Sequence, residues 1–426
     1  MEADVSGLSH EGRGIAQVNG KAVFVHGALP GERVRFRYTR VHRRFDEAVT
    51  DEVIEASPER VEPACAAYGV CGGCSLQHMH GDRQIEFKQT VLLELLQRFG
   101  EVQPEATLPP LRDSQWGYRR KARLAVRHVA GKGRVLVGFR ERHSPYVADM
   151  VRCEVLDPAV GHRLDDLSGL IGALSIPNRI PQIEVAIGDD QVALVFRNLE
   201  PLSEDDLERL GAWGRERDVQ VYQQPGNEST ITPVWPAEPT LHYDVEGVGI
   251  RFRPGDFTQV NAGINRKMVR RAQELLCPGT DDRILDLFCG LGNFSLPLAL
   301  IAGHVIGVEG SSDLVERARA NAQANGIANA EFHVANLTHS IEQSTWSVGP
   351  FEHVLLDPPR SGAAEILPAV AALRPAKILY VSCNPATLAR DAGELVHRHG
   401  YRLREAGVMD MFPQTAHVES IALFQR

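Results

Sequence analysis

From about residue 262 onward, short apolar runs of strand character alternate with runs of helical character. RILDLF is followed by a helix near 294 to 302, HVIGVE by a helix near 311 to 325, then come EFHVA, HVLLD, a helix, KILYVS and a helix over Thr387 to His399. Such alternation leaves little choice of fold, because consecutive parallel strands need crossover helices to cover both faces of their sheet. An α/β domain with a mostly parallel sheet is predicted, closed by VESIALFQ as a last strand. In open sheets of this kind, ligands and chemistry collect outside the carboxyl ends of the strands. The residues just after each run are therefore the candidates for function.

After the first run, ILDLFCGLGNFSL leads from strand through a glycine turn into a helix, which lets backbone approach a bound nucleotide. It is not the dinucleotide fingerprint, because Asn293, Phe294 and Ser295 stand where a third glycine is expected. Glu309 ends the next strand, where it can accept hydrogen bonds from ribose hydroxyls. Asp286, Gly290, Gly292 and Glu309, in this order, resemble the first two motifs of S-adenosylmethionine-dependent methyltransferases. HVLLDPPRSG then places Asp357 before two prolines, a stiff extended segment. Methyltransferases acting on exocyclic amines carry an aromatic after that Pro-Pro pair, and here it is Arg360.

The third strand end, YVSCNPATLARD, carries Cys383. An exocyclic amine attacks a sulfonium methyl with its own lone pair, whereas carbon 5 of uracil becomes nucleophilic only after something adds to carbon 6. A cysteine thiolate performs that addition, and a base must later remove the proton from carbon 5. A free thiol titrates near about 8.5, and a position just before a helix is expected to lower that value for Cys383. Read from its residue alone, Cys383 is equally a buried structural cysteine. Glu419 is the acidic residue of the last strand, and by itself reads as a solvated strand-end carboxylate. Cys289, in the glycine turn, and Cys277, before Pro278, are read as structural.

The chain of 426 residues is long enough for about three domains. Residues 1 to 57 alternate short β-like runs with glycine and proline turns, the pattern of a small barrel. A net charge of −9 excludes a uniformly basic nucleic-acid binder, so any such contact must be local. RVRFRYTRVHRR supplies it: Arg33, Arg35 and Arg37 alternate with Val34, Phe36 and Tyr38, and Arg40, Arg43 and Arg44 follow. Against the nearby Glu32 alone, this is more positive charge than solubility requires, and RNA binding is expected there. Residues 58 to 245 form a mainly β central segment. It contains a helix over 82 to 100 that could pack on the catalytic part, and a second basic stretch, YRRKARLAVRH. Residues 246 to 426 hold the α/β domain. Apolar runs fall short of a membrane span and no secretory signal opens the chain, so the cytoplasm is expected. No oligomer interface is legible, and a monomer is expected. Seven cysteines are too few for a disulfide scaffold, and three of them cluster in CAAYGVCGGC.

Together DLFCGLGNF, DPPRSG, YVSCNPATLARD, HVESIALF and FTQVN resemble the RNA uracil-5-methyltransferases across the whole catalytic part. LSHEGRGIA resembles the start of a TRAM module, an OB-like RNA-binding barrel. The resemblance implies a Rossmann-like class I methyltransferase domain, with Cys383 as nucleophile and Glu419 as general base. It assigns Gln259, Phe288, Asn293, Glu309, Asn336 and Asp357 to S-adenosylmethionine, Asn336 on the loosest match. Cys65, Cys71, Cys74 and Cys153 become ligands of a 4Fe-4S cluster, although on spacing a four-cysteine zinc site fits equally well. The barrel with the cluster is most similar to the branch acting on a uracil of 23S ribosomal RNA, the transfer-RNA branch usually lacking both. Three competing readings stay open: a transfer-RNA uracil-5-methyltransferase of the same family, an amine-directed RNA methyltransferase, and an RNA-binding assembly factor whose methyltransferase fold is idle.

Overall fold

A computed structural model describes residues 1–337 and 349–426. The N-terminal strands Glu2–Leu8, Gly14–Val18, Lys21–His26, Arg33–Val41 and Phe45–Glu55 close into a barrel, with the fourth pairing back onto the first. Val5, Ala16, Val23, Val25, Val34 and Phe36 fill it. The expected alternation in Arg33–Val41 holds through Arg37 and then fails. Tyr38 is exposed, because register shifts at Arg35/Phe36 and Tyr38/Arg40 turn the strand out of phase. The arginine face is also less bare than its sequence neighbours suggest. Arg35 pairs with Glu2 at 2.8 Å and with Glu52, and Arg37 pairs with Asp51 at 2.8 Å. Glu32 is buried instead against Arg60, at 2.5 Å. Arg40, Arg43 and Arg44 are exposed and form no ion pair among the described residues.

The middle of the chain forms a mixed six-stranded sheet in the spatial order Thr232–Trp235, Val219–Gln224, Val192–Arg197, Gln182–Ile187, Lys121–Val129, Arg134–Gly138. Helices Leu164–Gly172 and Glu204–Arg217 accompany it, the latter opened by a Ser203/Asp206 capping box. The second basic stretch is largely spent on internal partners: Arg120 pairs with Asp189 at 2.6 Å, Lys121 with Glu184 at 2.7 Å, and Arg119 stacks on Phe139 and Phe412. Among the described residues, no helix is long and apolar enough to cross a membrane.

The catalytic sheet has eight strands, ordered Ala330–Val334, His304–Glu309, Arg283–Leu287, His353–Leu356, Lys377–Ser382, Glu419–Gln425, Arg402–Met409, Ala106–Thr107. The first five are parallel, so their carboxyl ends share one edge. Glu419–Gln425 runs antiparallel to both its neighbours, which brings its first residue to that same edge. Ile284, Leu285, Val305, Val354, Leu355, Ile378 and Leu379 are fully buried, each side chain contributing roughly 1.5–3 kcal/mol of transfer free energy. The predicted helices form with shifted ends, as Ser295–Ala299, Ser312–Ala324 and Pro385–His397. Helix Gly81–Leu95 and a π-turn over Leu96–Gly100 lie against this domain. Gly100 and Gly393 touch backbone to backbone, since a Cβ on Gly393 would come within 2.8 Å of the Gly100 carbonyl oxygen, and one on Gly100 within 2.4 Å of the Ala389 carbonyl oxygen.

Candidate active site

Beyond Leu287 the chain turns through left-handed steps at Phe288 (φ 69°), Gly290 (φ 55°) and Gly292 (φ 89°). Glycine accepts these angles without strain, and Phe288 is held in one by its neighbours. Gly290 N–H donates to Glu309 Oε2 at 3.2 Å and Ser311 N–H donates to Oε1 at 3.0 Å, so the acid that ends the second strand pins the glycine turn. Asp286 lies fully buried beneath the turn. The Ser295 hydroxyl donates to its Oδ2, while its Oδ1 has no partner among the described residues. Burial first, then the charges of Asp357 and Glu309, push Asp286 up to about 7. An unsatisfied, buried acceptor under a glycine turn fits a pocket that takes a donor from a ligand.

The residues assigned to the cofactor surround this turn unequally. Asn293 is oriented by the protein, exchanging two 2.9 Å hydrogen bonds with Asn265 and accepting one from the Tyr243 hydroxyl at 3.1 Å. Gln259 is half-buried in the segment before helix Ala262–Leu276. Phe257, two residues earlier, stands 70% exposed, an aromatic that sequence reasoning did not single out. Asn336 is exposed just past strand Ala330–Val334. Asp357 follows strand His353–Leu356, its N–H donating to the Leu287 carbonyl at 3.3 Å, and burial pushes it up to about 7.

Cys383 and Glu419 are brought together by strand register. Ser382 pairs with Ser420 across the antiparallel ladder, and one step further along this register Cys383 faces Glu419. Burial first, then Asp357, pushes Glu419 up to about 8, with Arg360 and Lys88 opposing. The solvated-glutamate reading is therefore wrong: nothing in the run HVESIALF reveals that an antiparallel return buries its acid beside a thiol. The lowered thiol expected for Cys383 is also wrong. Its helix does begin at Pro385 with Asn384 as cap, but burial first, then Glu419 and Asp357, push the thiol up to about 11. Arg360 opposes that shift. Its carbonyl accepts from Asn384 Nδ2 at 3.0 Å, and its guanidinium meets His417 at 2.9 Å, tying the Pro-Pro turn to the cysteine's helix. Cys289 is buried as expected; Cys277 is exposed in a left-handed cap.

Cys65, Cys71, Cys74 and Cys153 line one small cavity with Tyr68, Phe139 and Met150. Burial, with the neighbouring thiols, pushes Cys74 up to about 12 and Cys153 up to about 11. Among the described residues, no group of three or more His, Cys, Asp or Glu side chains is arranged to hold a metal ion.

Residues 239–426 match the family described as tRNA (Uracil-5-)-methyltransferase, and residues 1–49 match the TRAM domain. The chain is 61% identical to the 23S rRNA (uracil(1939)-C(5))-methyltransferase RlmD of Alkalilimnicola ehrlichii, over 100% of this chain and 96% of that one. It is 51% identical to the protein of the same name from Methylococcus capsulatus, over 100% and 97%. Among solved structures, the tRNA (uracil-54, C5)-methyltransferase of Pyrococcus abyssi, in complex with S-adenosyl-L-homocysteine, superposes with a TM-score of 0.77. Identity there is 26%, covering 100% of this chain and 99% of that one. Sequence and architecture agree, and the chain belongs to the RNA uracil-5-methyltransferase family.

Proposed function

We propose that this protein, a cytoplasmic monomer, methylates carbon 5 of a uridine in 23S ribosomal RNA, with Cys383 as nucleophile and Glu419 as general base. The observation that carries the reading is the antiparallel register that sets Cys383 opposite Glu419 at the sheet edge where the glycine turn and Asp357 also end. An amine-directed enzyme or an idle fold has no use for a thiol facing a base. The relatives named for 23S rRNA support that substrate over transfer RNA. S-adenosylmethionine, held by Gln259, Phe288, Asn293, Glu309, Asn336 and Asp357, supplies an electrophilic methyl group. The Cys383 thiol loses its proton to solvent, its sulfur bonds to carbon 6, and the electrons of the ring double bond move toward the carbonyl at carbon 4. Carbon 5 becomes the nucleophile and accepts the methyl. Glu419 then takes the proton from carbon 5, the double bond re-forms and the carbon–sulfur bond breaks, returning the thiolate. A carboxylate held near 8 is a stronger base than an ordinary one and is matched to neutral pH.

Three units divide the work: an RNA-binding barrel over 1–57, a cysteine-bearing segment over 58–245, and the methyltransferase over 246–426. The target uridine must leave its stack to reach Cys383, so a single-stranded or flipped base is required. The cavity of Cys65, Cys71, Cys74 and Cys153 is assigned a 4Fe-4S cluster. Support comes from four soft donors lining one cavity, three of which, Cys71, Cys74 and Cys153, burial holds in the thiol form unless a strong positive charge is bound. Metal analysis of anaerobically purified protein checks this: iron and sulfide are expected, and zinc without iron refutes it.

The function is tested with 23S and transfer RNA fragments carrying 5-fluorouridine at the target. Fluorine cannot leave as a proton, so a covalent adduct on Cys383 is expected with 23S RNA. Cys383→Ala should abolish methyl transfer while changing RNA affinity by less than about 0.5 kcal/mol. Methyl transfer without an adduct would point to amine chemistry, and neither product to the idle fold.

A further inference from the structure

Lys88, on helix Gly81–Leu95, is fully buried, and burying an ammonium is costly. Its Nζ donates to Asp410 Oδ1 at 2.6 Å and to the Phe412 carbonyl at 2.9 Å. Asp410 is the residue after Met409, and Met409 pairs with Glu419 in the ladder. The same helix grips the loop twice more. Gln84 Nε2 donates to Gln414 Oε1 at 3.0 Å while Gln414 N–H donates back to Gln84 Oε1 at 2.9 Å, and Val408 N–H donates to Gln89 Oε1 at 3.3 Å. A helix outside the α/β succession thus reaches into the sheet edge and leaves a cation one ladder step from the base.

Resting on the reading of Glu419 as general base, we infer that Lys88 is a positioning residue that fixes the orientation and ionisation of Glu419 through the Lys88–Asp410–Met409 linkage. The charged and titratable groups around Glu419 are Cys383, Asp357, Arg360, His417, Asp410 and Lys88. Burial and the charge of Asp357 oppose its ionisation, and Arg360 and Lys88 favour it. Arg360 lies exposed at the mouth, where bound RNA changes its surroundings, whereas Lys88 is sealed away and keeps its effect throughout the cycle. A plug needed only for packing would be a leucine or methionine.

The test measures breakdown of the methylated Cys383–RNA adduct in single turnovers as a function of pH, in the full-length protein. In Lys88→Met the midpoint is expected to rise by roughly half a pH unit or more, because removing the cation leaves Glu419 harder to ionise. Lys88→Arg should restore the original midpoint. If Lys88→Met does not fold, Lys88→Gln, which removes the cation but can still donate a hydrogen bond to Asp410, carries the same expectation. A slower rate with an unmoved midpoint would overturn the inference and reduce Lys88 to a structural role. Normal product release by Glu419→Gln would instead overturn the underlying assignment of the base.

Discussion

The pairing of Cys383 with Glu419 sets what can be asked of single residues. Glu419→Gln keeps the shape but cannot accept the carbon 5 proton, so methylated RNA should stay bound to Cys383. A denaturing gel is expected to show the retarded complex, and free product would remove Glu419 from its role. In the proposed mechanism the carboxylate is the active form, and it is held near 8, so product release by the unaltered protein should accelerate as pH rises through about 8. How much of this was legible varies by residue. The positions of Cys383, Asp357 and Glu309 are legible, because each lies at the end of an apolar run and the edge rule for parallel sheets applies without knowledge of contacts, but the choice of Cys383 over a structural cysteine needed the family resemblance. Glu419 needed the family resemblance, since its importance arises from antiparallel register. Lys88 was not found, since it acts across more than three hundred positions of sequence, and Arg360 was noted only as a departure from the aromatic, its surroundings of carboxylates and thiol being visible only in the fold.

Among the elements, the barrel strand Arg33–Val41 shows where pattern reading fails. Alternation predicted its arginine face, but not the register shifts that expose Tyr38, nor the acids Glu2, Asp51 and Glu52 brought alongside by pairing. The charge left for RNA is concentrated at Arg40, Arg43 and Arg44. Replacing these three by alanine should weaken RNA binding and flatten its salt dependence, while Arg35→Ala/Arg37→Ala should do so less; equal effects would argue against this division. Helix Pro385–His397, which begins just after Cys383, is seated on the turn Leu96–Gly100 through Gly100 and Gly393. Gly100→Ala must force that contact apart, at a cost of about 1–3 kcal/mol in denaturant unfolding. The alternation of runs made the sheet readable, whereas this glycine seat leaves no trace in apolar periodicity.

For the whole molecule, buried titratable groups set a pH of greatest stability. His26 and His78 are held down near 3, and His417 near 4, chiefly by burial, so the unfolded chain binds more protons below 6.5 and stability rises with pH up to that value. Asp286 and Asp357, raised to about 7, and Glu419, raised to about 8, work in the opposite sense. The folded state keeps protons that the unfolded chain has lost, so stability falls as pH climbs toward 8. Above 6.5 the imidazole contribution is complete and the carboxyl one is not. The urea midpoint should therefore drop between pH 6.5 and 8.5, and a rise over that interval would contradict these environments. The return of Glu419–Gln425 into the gap between Lys377–Ser382 and Arg402–Met409 also has a consequence in time. A chain emerging from the ribosome possesses both flanking strands before the one that joins them, so thiol and carboxylate first meet when the inserted strand arrives, and a nascent chain cannot bring the two together until then.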